Sequence, residues 1–144
     1  MNQHSIVTTY KNEGGSIFIT QQTINGDLSQ NVEQTIPIGS VDAEFDVNIP
    51  ASQLLSFGAG CVKNRLALPG TNVTSLTIKT NSSSTPDETL VITPSGGIAW
   101  CTGSPPSITQ PITIDVTKIF VTLLGDAPAD LSIRALIDST PVLT

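Results

Sequence analysis

Residues Leu76–Ile92 read LTIKTNSSSTPDETLVI. In the flanking runs, Leu76–Thr80 and Thr89–Ile92, apolar residues alternate with polar or β-branched ones. That is the period of two that sends successive side chains to opposite faces of a strand. Between the runs lies Asn81–Glu88, built only of Asn, Ser, Thr, Pro, Asp and Glu. Pro86 has no N–H to give to a ladder, and Asn, Ser and Asp hydrogen-bond their own backbone in turns. The stretch therefore predicts a β-hairpin, with Leu76, Ile78, Leu90 and Ile92 facing a core.

The same grammar extends in both directions. Residues Met1–Gly15 are polar, end in a Gly pair and predict an extended arm. Ser16–Ile24 predicts a strand. Asn25-Gly26 after it is the dipeptide most favoured where both residues of a hairpin turn need positive φ, so Leu28–Ile36 is expected to return beside it. Val41–Ile49 (VDAEFDVNI) puts Val41, Ala43, Phe45, Val47 and Ile49 on one face and Asp42, Glu44, Asp46 and Asn48 on the other. A corner at Pro50–Gln53, read as irregular or as a short helical turn, leads into a further strand ending near Ala59. Gly60–Asn72 reads as a long exposed loop, Pro94–Gly97 as a turn, Ile98–Cys101 as a short strand and Thr102–Pro111 as another exposed loop. Ile112–Leu124 is long enough for two strands, ITID and KIFVTLL, and LSIRALID (Leu131–Asp138) for a last one. The sum is about eight to ten short antiparallel strands and no helix, which predicts an all-β chain folded as a β-sandwich or jelly-roll-like domain. The expected organisation is an arm over 1–15, one sandwich over 16–138 and a tail over 139–144.

Only 12% of the 144 residues are charged, against about a quarter in an ordinary soluble domain, while mean hydropathy is +0.15. Such a chain is not disordered, and its surface must be covered by neutral polar residues or by a partner. The net charge of −6, with six scattered basic residues, argues against binding nucleic acid or an anionic membrane, both of which require a basic footprint. No apolar run approaches the roughly 20 residues that span a bilayer. The N-terminal MNQHSIVTTYKNEGG lacks a charged-then-apolar leader pattern, which predicts a product made in the cytoplasm. Cys61 and Cys101 show neither CxxC nor zinc spacing. One disulfide closing a long loop is open to them, and a cytoplasmic product predicts reduced thiols.

Candidate chemistry is sparse. Asp42, Glu44 and Asp46 could offer hard oxygen ligands to a cation such as calcium, but such sites draw on loops that wrap the ion. The alternative is an acidic solvated face that discourages edge-to-edge association. His4 is the sole histidine and is expected to be a solvated residue of the arm. Nucleophile systems need a base beside the nucleophile, and no GxSxG, phosphate loop or HExxH is present. The expectation is a non-enzymatic chain without a cofactor. Trp100 reads as a core or interface anchor, or else as a stacking platform for a sugar. The sequons at Asn72-Val73-Thr74 and Asn81-Ser82-Ser83 are read as chance in a chain rich in Ser and Thr.

The stretches LTIKTNSSSTPDETLVI and DVTKIFVTLLGD, with LSIRALID after them, resemble small β-sandwich proteins encoded among the structural genes of tailed bacteriophages. There a TIKTN-like strand leads into a polar, acidic hairpin loop, then a strand ending in Trp, a DVTxIFVT strand and a closing LxIRxLxD strand. The resemblance covers Leu76–Asp138 and, more loosely, Ser16–Ile36. The chain departs from that pattern at Gly60–Asn72 and Thr102–Pro111. The resemblance implies a virion protein made in the host cytoplasm, of the capsid decoration or cement type. Its expected partners are the major capsid protein and itself, as a homotrimer on the outer capsid surface. The alternative expectation is a carbohydrate- or receptor-binding sandwich associated with a tail or fibre.

Overall fold

The computed structural model describes residues 2–11, 17–26, 28–102 and 109–138. Strands dominate: β1 (Asn2–Lys11), β2 (Ile17–Gly26), β3 (Leu28–Ile36), β4 (Ala43–Ile49), β5 (Leu54–Lys63), β6 (Val73–Thr80), β7 (Thr89–Ile92), β8 (Ile98–Cys101), β9 (Val116–Gly125) and β10 (Ala129–Ile137). A single 3-10 turn at Ala51–Gln53 fills the corner after Pro50. β3 to β10 form two antiparallel four-stranded sheets, ordered β3-β10-β5-β8 and β4-β9-β6-β7, and β1 and β2 pair only with each other.

The pairings nest. β6 pairs with β7, β5 with β8, β4 with β9 and β3 with β10. The chain is one long hairpin, doubled at residues 81–88 and rolled so that alternate pairs fall in opposite sheets, which is the jelly roll. The stretch Leu76–Ile92 is its innermost hairpin, with Leu76 opposite Ile92 and Ile78 opposite Leu90. The doubling loop is clasped by Asn81, whose φ is +67°, a conformation Asn adopts more readily than most residues. Its side-chain amide donates to Asp87 Oδ2 (2.7 Å) and to the Asp115 carbonyl (2.8 Å), and its Oδ1 accepts from the Thr117 N–H (2.9 Å).

The core lies between the sheets. Leu76, Ile78, Ile92, Ile119 and Val121 meet Ile36, Phe57, Leu131, Ile133 and Ala135 across it, all buried. Alternation drives this arrangement: along β10 the residues Leu131, Ile133, Ala135 and Ile137 face inward as expected and are each at most 2% exposed. Leu90 packs partly buried at the rim of the core.

Three local expectations are corrected. First, Asn25-Gly26 is not a hairpin turn. β2 runs straight through it, with Asn25 opposite Gln3 and Gly26 opposite Asn2, while β3 pairs with β10. Gly26 has no positive φ, and a Cβ there would lie 2.8 Å from Leu136 Cγ and 2.9 Å from the Ile137 carbonyl oxygen. The glycine is required by close approach of two backbones. Second, Val41 is outside β4 and 73% exposed, because Asp42 with φ +49° breaks the alternation before Ala43. Third, ITID is not a strand. Ile112 is buried, but the Thr113 N–H donates to the Glu88 carboxylate (3.0 Å) and Asp115 Oδ1 accepts from the Ala51 N–H (2.9 Å). Side chains, not a ladder, satisfy this backbone.

Candidate functional site

The residues singled out as acidic do not converge on a cation. Asp42, in the bend before β4, pairs with Lys79 (3.3 Å) and Glu44 with Lys118 (2.7 Å), while Asp46 stands opposite Lys118 in the ladder. The Lys118 ammonium is held above its ordinary pKa by the hydrogen bond it donates to Glu44, then by the charges of Glu44 and Asp46. Lysines of β6 and β9 therefore occupy the field that a metal would need. Among the described residues no group of three or more His, Cys, Asp or Glu is placed to hold a metal ion. Trp100 lies on the inner face of β8, opposite Phe57 in register, and is buried with it. It presents no open ring to a sugar. Cys61 and Cys101 are both buried and neither is in a disulfide. Cys61 packs in the core, whereas Cys101 is opposite Ser56 on the outer face of the same sheet, so the two thiols point away from each other.

His4 is not a solvated arm residue. Its Nδ1 lies 2.7 Å from Ser56 Oγ on β5 and its Nε2 3.4 Å from Ser29 Oγ on β3. Burial, then the charge of Arg134, lowers its pKa, so the ring is a neutral bridge between two hydroxyls, one nitrogen donating and the other accepting. Ser56 is 2% exposed and lies beneath the imidazole that would have to activate it. The pair ties β1 to β5. Together with Gly26 against Leu136, it fixes the root of the β1–β2 ribbon to the outer face of the β3-β10-β5-β8 sheet. No sequence signal links His4 to Ser56, which lies 52 residues away.

The surface with the strongest physical bias to bind lies at the opposite end of the sandwich. Three connections meet there: 37–42, 64–72 and 124–128. The Leu123 N–H donates to the Ser40 carbonyl (3.0 Å), the Asn64 N–H to the Pro128 carbonyl (2.9 Å), and the Asp126 N–H to the Asn72 carbonyl (2.9 Å). Asp126 returns a bond, its Oδ1 accepting from the Asn72 N–H at 2.6 Å. On this tied platform stand Ile38, Val41, Leu66, Leu68 and Leu124, each more than half exposed, with Leu66 at 83%. Scattered apolar residues on a surface are ordinary; large ones on three cross-tied loops make this end a candidate contact surface. Gly60–Asn72, read from the sequence as one exposed loop, is strand β5 as far as Lys63 and loop only over 64–72, and the segments it meets lie some 25 to 60 residues away in the chain.

No family model matches the chain, and comparison with curated proteins and with solved structures finds no match.

Proposed function

We propose that the protein is a virion structural component, a capsid decoration protein that seats its apolar end on the major capsid protein and bridges neighbouring shell subunits. The observation that carries this reading is the platform of Ile38, Val41, Leu66, Leu68 and Leu124. Burial against a neighbour removes that apolar area from water, which is the dominant favourable term in association. The chain's low charge fits such a role, since interface cores are depleted of charged residues. The jelly roll is compatible with capsid and lectin domains alike, and function has to be argued from the site. The burial of Trp100 leaves that ring without the open face a sugar would stack on.

The test is binding to purified capsids lacking the protein. Wild-type chain is expected to co-sediment with shells and raise their disruption temperature. A Leu66→Ser/Leu68→Ser chain, whose substitutions leave the core untouched, is expected to lose most of that binding while unfolding at an unchanged temperature. Absence of the protein from purified particles by mass spectrometry, or equal binding by the double variant, overturns the proposal.

A further inference from the structure

The β1–β2 ribbon is a two-stranded sheet standing outside the two sheets of the sandwich. Its strands are ten residues each, about 33 Å long at the usual rise, and they form a sheet of their own. A lone two-stranded ribbon in water is marginal, and both its outer edges carry backbone groups without a ladder partner among the described residues. The main sheet has an open edge of matching length. β3, nine residues long, is terminal in its sheet. A cleft of about 590 Å³ runs beside it, lined by Asn31, Val32, Glu33 and Gln34 of β3 together with Phe45 and Asp46 of β4.

The ribbon cannot close that edge in its own chain. One residue separates the end of β2 at Gly26 from the start of β3 at Leu28, whereas an antiparallel reversal takes a loop of at least two. Freeing more residues would break the pairs Asn2–Gly26 and Gln3–Asn25. It would also pull Gly26 from Leu136 and His4 from Ser56. These contacts lock the root in place.

We propose that the ribbon of one chain pairs through β2 with the open outer edge of β3 in a second copy, each copy giving one ribbon and receiving another. Exchange of identical elements is a low-cost route to a closed oligomer, and main-chain pairing at a sheet edge supplies the affinity. The proposal deepens the assembly reading, but it concerns contacts between copies, so it is tested in solution without capsids.

The experiment is light scattering on the full chain over a concentration series, with amide exchange followed by NMR on Leu28–Ile36. Expected is a mass above that of one chain. In the assembled form the alternate β3 amides that point away from β10 should exchange slowly, and on dilution they should accelerate by about a hundredfold or more, as edge amides open to solvent do. A single-chain mass at all concentrations overturns the proposal. So does an oligomer in which those outward amides exchange as fast as in the monomer, which would place the contact elsewhere.

Discussion

Replacing Gly26 by Ala adds one methyl group at the ribbon root. The new Cβ would sit 2.8 Å from Leu136 Cγ and 2.9 Å from the Ile137 carbonyl oxygen, where carbon contacts are comfortable at about 3.5–4.0 Å. Leu136 is fully buried, and Ile137 belongs to a strand held on both sides, by β3 and by β5. Neither can retreat cheaply. Overpacking of this kind costs about 1–3 kcal/mol. If the ribbon lifts instead, Leu136 is exposed and the loss is of similar size, about 1.5–3 kcal/mol. At roughly 2–4 °C per kcal/mol for a chain of this length, the melting temperature should fall by several degrees. Gly60→Ala is the control, since a Cβ there meets nothing within 4 Å and should leave stability equal or slightly raised. Urea unfolding followed by Trp100 fluorescence reads both. A double-mutant cycle with Leu136→Ala, which removes the atom being struck, should show a coupling of about 0.5–3 kcal/mol. If Gly26→Ala unfolds with Gly60→Ala, or if Gly26→Ala and Leu136→Ala are additive, the close approach is not what demands the glycine.

Further outcomes follow from the same contacts. The His4 ring has a pKa below the ordinary 6.5, so the native root favours the neutral form. Its contribution is complete above about pH 6.5 and is lost as pH falls and the unfolded chain takes up the proton more readily. Between about pH 7 and pH 5 the wild type should therefore lose more stability than His4→Gln, and parallel curves would refute the anchor. Cys61, its thiol pKa raised by burial, and Cys101 should resist a thiol reagent in the native chain and both react after unfolding; a disulfide between them, seen as no reaction in urea until a reductant is added, would contradict their placement on opposite faces. Because Asp42 and Glu44 each face a lysine, millimolar calcium should leave the melting temperature unchanged, whereas binding to the native state would raise it.

Much of the sandwich was readable because a period of two needs only local sequence. The hairpin at Leu76–Ile92 and the strand at Leu131–Ile137 declare their inner faces without reference to anything distant. Gly26 misled because glycine has two uses, positive φ and close approach, and a dipeptide does not distinguish them. Asp42 interrupted an otherwise regular alternation through a backbone conformation that its neighbours do not betray. Ile112 is apolar and buried like a strand residue, yet its segment is held by Glu88 and Asn81, partners 25 and 34 residues away that a local window of sequence does not contain. The same holds for the apolar end, which is assembled from three loops, and for the ribbon anchor, which joins His4 to a serine of β5.

The position of β10 bears on how the molecule comes into being. It is the last of the strands among the described residues, yet it lies between β3 and β5 and supplies hydrogen bonds to both. During synthesis β3 and β5 emerge long before the strand that joins them, so the half-made chain holds two open edges in waiting. Of the sandwich strands, only the inner hairpin, whose strands are separated by residues 81–88, can form early. Nested pairs then close outward from it, the outermost joining Leu28 to Ile137 across nearly the whole chain. Assembly of this sheet is therefore coupled to completion of residues 129–137. A nascent chain stalled short of them would display β3 and β5 edges to its neighbours on the polysome, the situation in which β-rich chains aggregate.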